Sequence, residues 1–433
     1  MITIKDNRAV LLDYNNENVS KTTLASGVTI LTEYMPGVES VALGVWADAG
    51  SVDEDPEKIG VAHFLEHMLF KGTKSRTAFQ LAEAIEDVGG QLNAYTEHET
   101  THVYTRVLAE HLPLAVELLA DMVCHSTFDQ TEMDRERQVI IEEIRKYDAL
   151  PEEQIHDLIM KALWHDSGLG HPILGDEESV LRITRDDLLQ CWRQHFAANR
   201  ILVTAAGKVH HESFVAMIDT LFADLPPKSL RIERMTTGKQ LPCILVNEDE
   251  EQVTFCWGGR AFPAHDERTF TLALIDATLG ASTTSRLFQE IREKRGLAYD
   301  VSSYAMGFRE TGLLCASGAC SPTALYDVLS LIRSEVENLH ANGMTDKEFI
   351  RAKQQIKADV ALSLESTTDR MQRLALHQLT WGTVYPLQYL MEKINHISLD
   401  DVNNVLMEVA DINKWVLAAI GPIEQSLVQK IMA

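Results

Sequence analysis

An internal repeat limits what this chain can fold into. Ile183-Thr184-Arg185-Asp186-Asp187-Leu188 and Ile397-Ser398-Leu399-Asp400-Asp401-Val402 both read as helix starts, 214 residues apart. Eighteen residues past each start, an apolar run begins that closes on glycine. The first is Ile201-Leu202-Val203-Thr204-Ala205-Ala206-Gly207, and the second is Trp415-Val416-Leu417-Ala418-Ala419-Ile420-Gly421. Upstream, Glu132-Met133-Asp134-Arg135 resembles Glu348-Phe349-Ile350-Arg351 at a spacing of 216. Three matches in register at nearly constant spacing imply two similar halves. A length of 433 residues suits two or three domains. Pro226-Pro227-Lys228-Ser229 and the polar stretch to Gln240 read as a linker, so the expected halves are 1–225 and 241–433, joined by 226–240.

Strand-like and helical runs alternate within each half. Ser40 to Trp46 reads as a strand. Thr77 to Val88 reads as a helix closed by Gly89-Gly90. Gln91 to Thr96 and His102 to Val107 read as paired strands, and Pro113 to Val123 as an apolar helix. The expected fold class is α+β, each half a mainly antiparallel sheet with helices packed on one face.

Charge narrows the partners. With 64 Asp+Glu against 39 Lys+Arg, the net charge is −25, which argues against nucleic acid and against an anionic membrane surface. The amino terminus, Met1 to Asp13, is too charged and too short in apolar residues for a signal-peptide core, and no stretch reaches membrane-span length. The six cysteines contain no Cys-x-x-Cys pair and read as reduced thiols, so the expected compartment is cytoplasmic.

His63-Phe64-Leu65-Glu66-His67 is the most informative segment. At about 100° per residue, Glu66 lies roughly 60° to one side of His63 and His67 roughly 40° to the other. The three side chains share one narrow stripe of a helix, while Phe64, Leu65, Met68 and Leu69 point elsewhere and can anchor it. Two imidazoles one turn apart are placed to chelate zinc, and a carboxylate between them can take a proton from water without being a ligand. This His-x-x-Glu-His order is the inverted zinc motif.

A third ligand is needed, and the helix from Asp134 to Ile144 offers candidates. Glu136, Ile140, Glu143 and Tyr147 fall on one face, whereas Arg135, Gln138, Glu142, Arg145 and Lys146 make a charged face that reads as solvated. Helical phase therefore favours Glu143 over Glu142. Glu136, two turns earlier on the same face, can hydrogen-bond a ligating histidine.

His63-x-x-Glu66-His67 followed 76 residues later by Glu143 resembles the pitrilysin/insulinase family of zinc peptidases, in its mitochondrial-processing-peptidase-like branch. Gly60 to Met68, Phe70-Lys71-Gly72-Thr73 and Leu92-Asn93-Ala94-Tyr95-Thr96 carry the likeness further, and it runs through nearly the whole chain. The resemblance implies a zinc metalloendopeptidase: zinc ligands at His63, His67 and Glu143, Glu66 as the base that activates a water at the zinc, and support from Glu136. It implies that Asn93, Ala94 and Tyr95 lie on an edge strand that pairs with extended substrate. It also implies that Arg292 and Tyr299 hold substrate and steady the oxyanion, with Arg295 the other candidate arginine. His98 and His102 are not expected to be ligands.

At the 216 spacing, Ala352 and Asp359 stand where the first half has Glu136 and Glu143, and no second motif follows residue 230. One zinc per chain is therefore expected. Because one chain carries both the motif and the Arg/Tyr pair, the resemblance suggests a homodimer whose facing halves enclose a peptide chamber. Acidic inner walls would favour basic, extended peptides, whether the chain processes leader segments or degrades short peptides. The competing expectations are a non-catalytic scaffold like the core subunits of respiratory complexes, and a protein that binds peptides without cutting them.

Overall fold

The computed structural model describes residues 18–230 and 238–432, so the readings of Met1 to Asp13 and of 231–237 within the linker lie outside the described residues. Eleven strands are described: β1 (Val19–Thr23), β2 (Thr29–Tyr34), β3 (Ser40–Ala47), β4 (Gln91–Thr96), β5 (Thr101–Leu108), β6 (Ile201–Gly207), β7 (Cys243–Val246), β8 (Val253–Ala261), β9 (Ala298–Gly307), β10 (Gly312–Cys320) and β11 (Val416–Ile420). The helices that matter below are α1 (Val61–Leu69), α2 (Ala78–Glu86), α3 (Leu112–His125), α4 (Gln130–Asp148) and α5 (Pro151–Leu163). Later in the chain come α6 (Arg185–His195), α7 (Asp346–Ser363), α8 (Thr367–Trp381) and α9 (Leu399–Val409).

Two mixed sheets form, in the orders β1-β2-β6-β3-β5-β4 and β7-β11-β8-β10-β9. Each is antiparallel except for one pair, β2 with β6 and β7 with β11. The parallel pairs involve the two apolar runs of the repeat. Both strands are buried along their whole length, which explains why they read as continuous apolar runs rather than alternating ones. The repeated helix starts also match: Thr184 and Asp187 form a capping box on α6, and Ser398 and Asp401 form the same box on α9. The architecture is α+β in two units, as expected.

The compact units are not contiguous in sequence. Among the described residues, one is built from 18–145, 172–230 and 362–386, the other from 146–171, 238–361 and 387–432. Each unit thus takes a helical segment from the other half of the sequence, an arrangement the simple division 1–225 and 241–433 does not contain. Helices consequently lie on both faces of each sheet rather than on one.

In the first unit, one sheet face packs on the core formed with α1, α3 and α4, through residues such as Val45, Val103 and Val203. The other face carries Leu31, Ala42, Trp46, Leu202 and Ala206, which are covered by Met371, Leu374 and Ala375 of α8. Gly44 permits this approach, since a Cβ there would stand 2.8 Å from Met371 Sδ. Buried Glu33 on β2 accepts from Arg373 Nη2 at 2.9 Å and also from Arg370, fixing α8 over the strand. In the second unit, α5 occupies the corresponding place against β8 and β11. Among the described residues, no helix is long and apolar enough to cross a membrane.

Candidate metal centre

The chemistry of α1 depends on how its start is held. Gly60 precedes the helix at φ 89°, and a Cβ there would lie 2.6 Å from Leu174 O, so the position suits glycine alone. A glycine brings no capping side chain. Glu54 supplies the cap from a distance, its carboxylate accepting from Gly60 N at 2.9 Å and from Ala62 N at 2.7 Å. Phe64, Leu65, Met68 and Leu69 are then sunk in the core, and the polar stripe faces outward from it.

On that stripe, ligand atoms of His63, His67 and Glu143 lie within 4.8 Å of one another. Glu143 Oε2 stands 3.4 Å from His67 Nε2 and 3.9 Å from His63 Nε2. Ligand atoms about 2.1 Å from a tetrahedral zinc are roughly 3.4 Å apart, so the donor set fits that ion with little movement. Glu136 Oε1 lies 2.9 Å from His67 Nδ1, so it accepts the ring N–H and leaves Nε2 as the free donor atom. Both carboxylates come from α4, two turns apart, and neighbouring Glu142 is exposed and bonded to Arg145 at 2.7 Å.

Electrostatics suits a cation. Burial, aided by the nearby His67, pushes His63 down to about 3, which keeps it in the neutral form that ligates metal. Burial opposes charge on His67 too, but the hydrogen bond it donates to Glu136 and the charges of Glu143, Glu136 and Glu66 outweigh it and raise its pKa. An environment that stabilises a proton on His67 stabilises a metal cation there as well.

Glu66 stands apart from the ligand trio and is addressed by β4. Thr96 Oγ1 donates to Glu66 Oε2 at 2.6 Å. Burial raises Glu66 above the usual carboxylate range, partly offset by the Thr96 hydroxyl and the His67 charge. A raised carboxylate beside a candidate cation site is equipped to take up and return a proton.

Asn93, Ala94 and Tyr95 lie on β4, which ends the sheet and, among the described residues, pairs with β5 alone. Ala94 is buried toward α1, whereas Asn93 and Tyr95 face outward, with Asn93 Nδ2 donating to Tyr95 Oη at 3.0 Å. His98 and His102 stand outside the trio, His98 beside Ser51 Oγ at 3.2 Å and His102 stacked on Trp46 at 3.9 Å.

Arg292 and Tyr299 belong to the second unit. Arg292 sits on a π-helical turn (Phe288–Glu293), its guanidinium 4.7 Å from the Phe288 ring centre and 4.5 Å from that of Tyr299. Tyr299 is 81% exposed. Arg295 is bound to Glu290 at 2.6 Å. At the corresponding places of the repeat, Ala352 is buried and Asp359 exposed on α7, and among the described residues no second trio of metal-ligand type occurs.

The profile of the family described as Insulinase (Peptidase family M16) matches residues 29–177, and that of the Peptidase M16 inactive domain matches residues 182–356. Uncharacterized zinc protease YmxG of Bacillus subtilis is 36% identical over 409 residues, covering 93% of this chain and 98% of its own length. Uncharacterized zinc protease SCO5738 of Streptomyces coelicolor is 35% identical over 421 residues, covering 95% and 92%.

The chain belongs to the M16 insulinase family of peptidases.

Among solved structures, a protease from Helicobacter pylori superposes with a TM-score of 0.86 at 20% identity, over 93% of this chain and 99% of that one, a likeness of fold. The M16 profile spans the whole trio, together with Glu66, Thr96 and Glu136. Three contributors escaped the sequence reading. Thr96 and Lys71 were part of quoted motifs but had no role, and Glu54 carried no reading at all. The bare glycine before α1 was the one available signal for Glu54.

Proposed function

We propose that this M16 chain is a zinc metalloendopeptidase that cleaves extended peptides. The observation that carries it is the convergence of His63, His67 and Glu143 donor atoms beside a separate, hydroxyl-oriented Glu66. His63, His67 and Glu143 would hold one zinc ion per chain. When bound, zinc supplies a Lewis acid that polarises a carbonyl and makes a nearby water more acidic. Glu136 keeps the His67 ring in the tautomer that presents Nε2. Glu66 takes the proton from the attacking water and delivers it to the leaving amide nitrogen, and Thr96 keeps its carboxylate aimed. The free edge of β4 binds substrate main chain, so that Asn93, Ala94 and Tyr95 read the backbone first. Arg292 and Tyr299 bind substrate and steady the developing oxyanion, cationic and phenolic donors being suited to that charge.

The chain acts as a homodimer in the cytoplasm, and its acidity of −25 favours basic peptides, either leader segments or short degradation substrates. The decisive experiment pairs Glu66→Gln with a quenched peptide and a zinc assay. Retained zinc with cleavage lost is expected. Cleavage at the wild-type rate would remove Glu66 from its role.

A further inference from the structure

Glu136 has a second partner that no reading of the motif includes. Its Oε1 meets His67, and its Oε2 lies 2.5 Å from Nζ of Lys71. Glu136 is only 5% exposed, whereas the Lys71 side chain reaches it from the surface at 29% exposure. A buried carboxylate needs partners for both of its oxygens, and removal of the ammonium from one of them leaves a desolvated charge free to turn elsewhere.

The positions of the two groups in the chain give the contact its meaning. Lys71 follows α1 by two residues, and its amide donates to Met68 O at 3.2 Å, so its backbone is an extension of the metal-site helix. Glu136 belongs to α4, which also carries Glu143. The ammonium therefore ties together the two elements that provide the three ligand-type side chains. Elsewhere α4 is held near Glu136 by Arg137, which donates to Ile183 O at 2.8 Å and to Val180 O, so α4 has an independent anchor there.

We propose that Lys71 is a positioning residue for the metal centre, acting through Glu136. By holding one carboxylate oxygen, it fixes the other on His67 Nδ1 and so holds Nε2 toward Glu143. The inference rests on the zinc-site reading above. Lys71 pairs with Glu136 rather than with any of the three ligand-type side chains, and it takes no part in proton transfer.

The test uses the full-length protein and three chains: wild type, Lys71→Met and Lys71→Arg. Each is titrated with Zn²⁺ against a chromophoric chelator, loaded with Co²⁺ for visible absorption, melted, and assayed for kcat and KM. Expected for Lys71→Met is a zinc affinity lower by about 10-fold or more, an altered Co²⁺ band, and a fall in kcat with KM nearly unchanged. Lys71→Arg, which can also meet the carboxylate, should recover most of the affinity and the band shape. The inference is overturned if folded Lys71→Met binds zinc as wild type with the same spectrum, or if only its melting temperature moves. If Lys71→Met does not fold, the Arg variant decides: near-wild-type zinc affinity with the wild-type Co²⁺ band supports the role, and a loss of about 10-fold or more overturns it. Failure of the wild type itself to bind zinc would instead overturn the zinc-site reading, and this inference with it.

Discussion

Thr96 and Glu66 are joined by a hydrogen bond of 2.6 Å, so the edge strand β4 and the proposed base on α1 form one hydrogen-bonded assembly. The hydroxyl donates to the carboxylate and favours its ionised form, against the burial that opposes it. Replacing Thr96 by Val keeps the β-branched shape and removes the donor. The expected result is a fall in kcat of roughly 10-fold, worth about 1.4 kcal/mol, with zinc content unchanged. Steady-state kinetics with a metal assay checks it, and an unaltered kcat would mean that Glu66 is held by other contacts.

Glu54 should matter to α1 alone. Its carboxylate accepts from the Gly60 and Ala62 amides, a service that the glycine at the helix start cannot perform. Glu54→Ala is expected to cost about 1–2 kcal/mol, the ordinary loss of a helix cap. Hydrogen exchange should accelerate at the Gly60 and Ala62 amides first. Protection equal to wild type at both would contradict the capping role.

The burial of α8 gives a third expectation. Glu33 is 3% exposed and lies between Arg370 and Arg373. Glu33→Gln leaves two guanidinium groups without their carboxylate, a loss on the order of 3 kcal/mol for a buried pair. Urea unfolding followed by hydrogen exchange of α8 measures it. A loss below about 0.5 kcal/mol would assign the anchoring to Met371, Leu374 and Ala375 instead.

Acid should weaken the second unit at Glu348. Burial opposes its charge, but Arg286 at 2.8 and 2.9 Å and the amide and hydroxyl of Thr345 outweigh that and bring its pKa down to about 2. The unfolded group titrates near 4.3, so the contribution to stability is complete above that pH and fades as pH falls toward about 2. The gap in melting temperature between wild type and Glu348→Gln should be widest near pH 6 and shrink toward pH 3. A gap that did not narrow would exclude this group as the source.

Much of the centre could be read without coordinates because it follows helical phase. His63, Glu66 and His67 share a stripe within five residues, and Glu136 and Glu143 share one on a second helix, so a period of 3.6 residues was enough to select Glu143 over Glu142. Thr96, Glu54 and Lys71 do not follow any such period. Each reaches the centre through a contact between separate elements, and each is a residue type that is common on surfaces. The same limit applied to the fold. Capping boxes at Thr184 and Ser398 and apolar strands at Ile201 and Val416 are local, so the repeat announced them.

The sequence by itself determined that the chain is two related α+β halves with one metal-type motif, since repeats and helical stripes are written in neighbouring residues. The tertiary structure alone decided which segment covers which sheet. An apolar strand such as Ile201–Gly207 must bury both faces, but nothing in its own residues says what will cover them. Met371, Leu374 and Ala375 supply that cover from the other half of the sequence, and Glu33 finds Arg370 and Arg373 there. Burial of apolar surface is non-directional, so the choice of partner rests on shape and on the few charges that must be met.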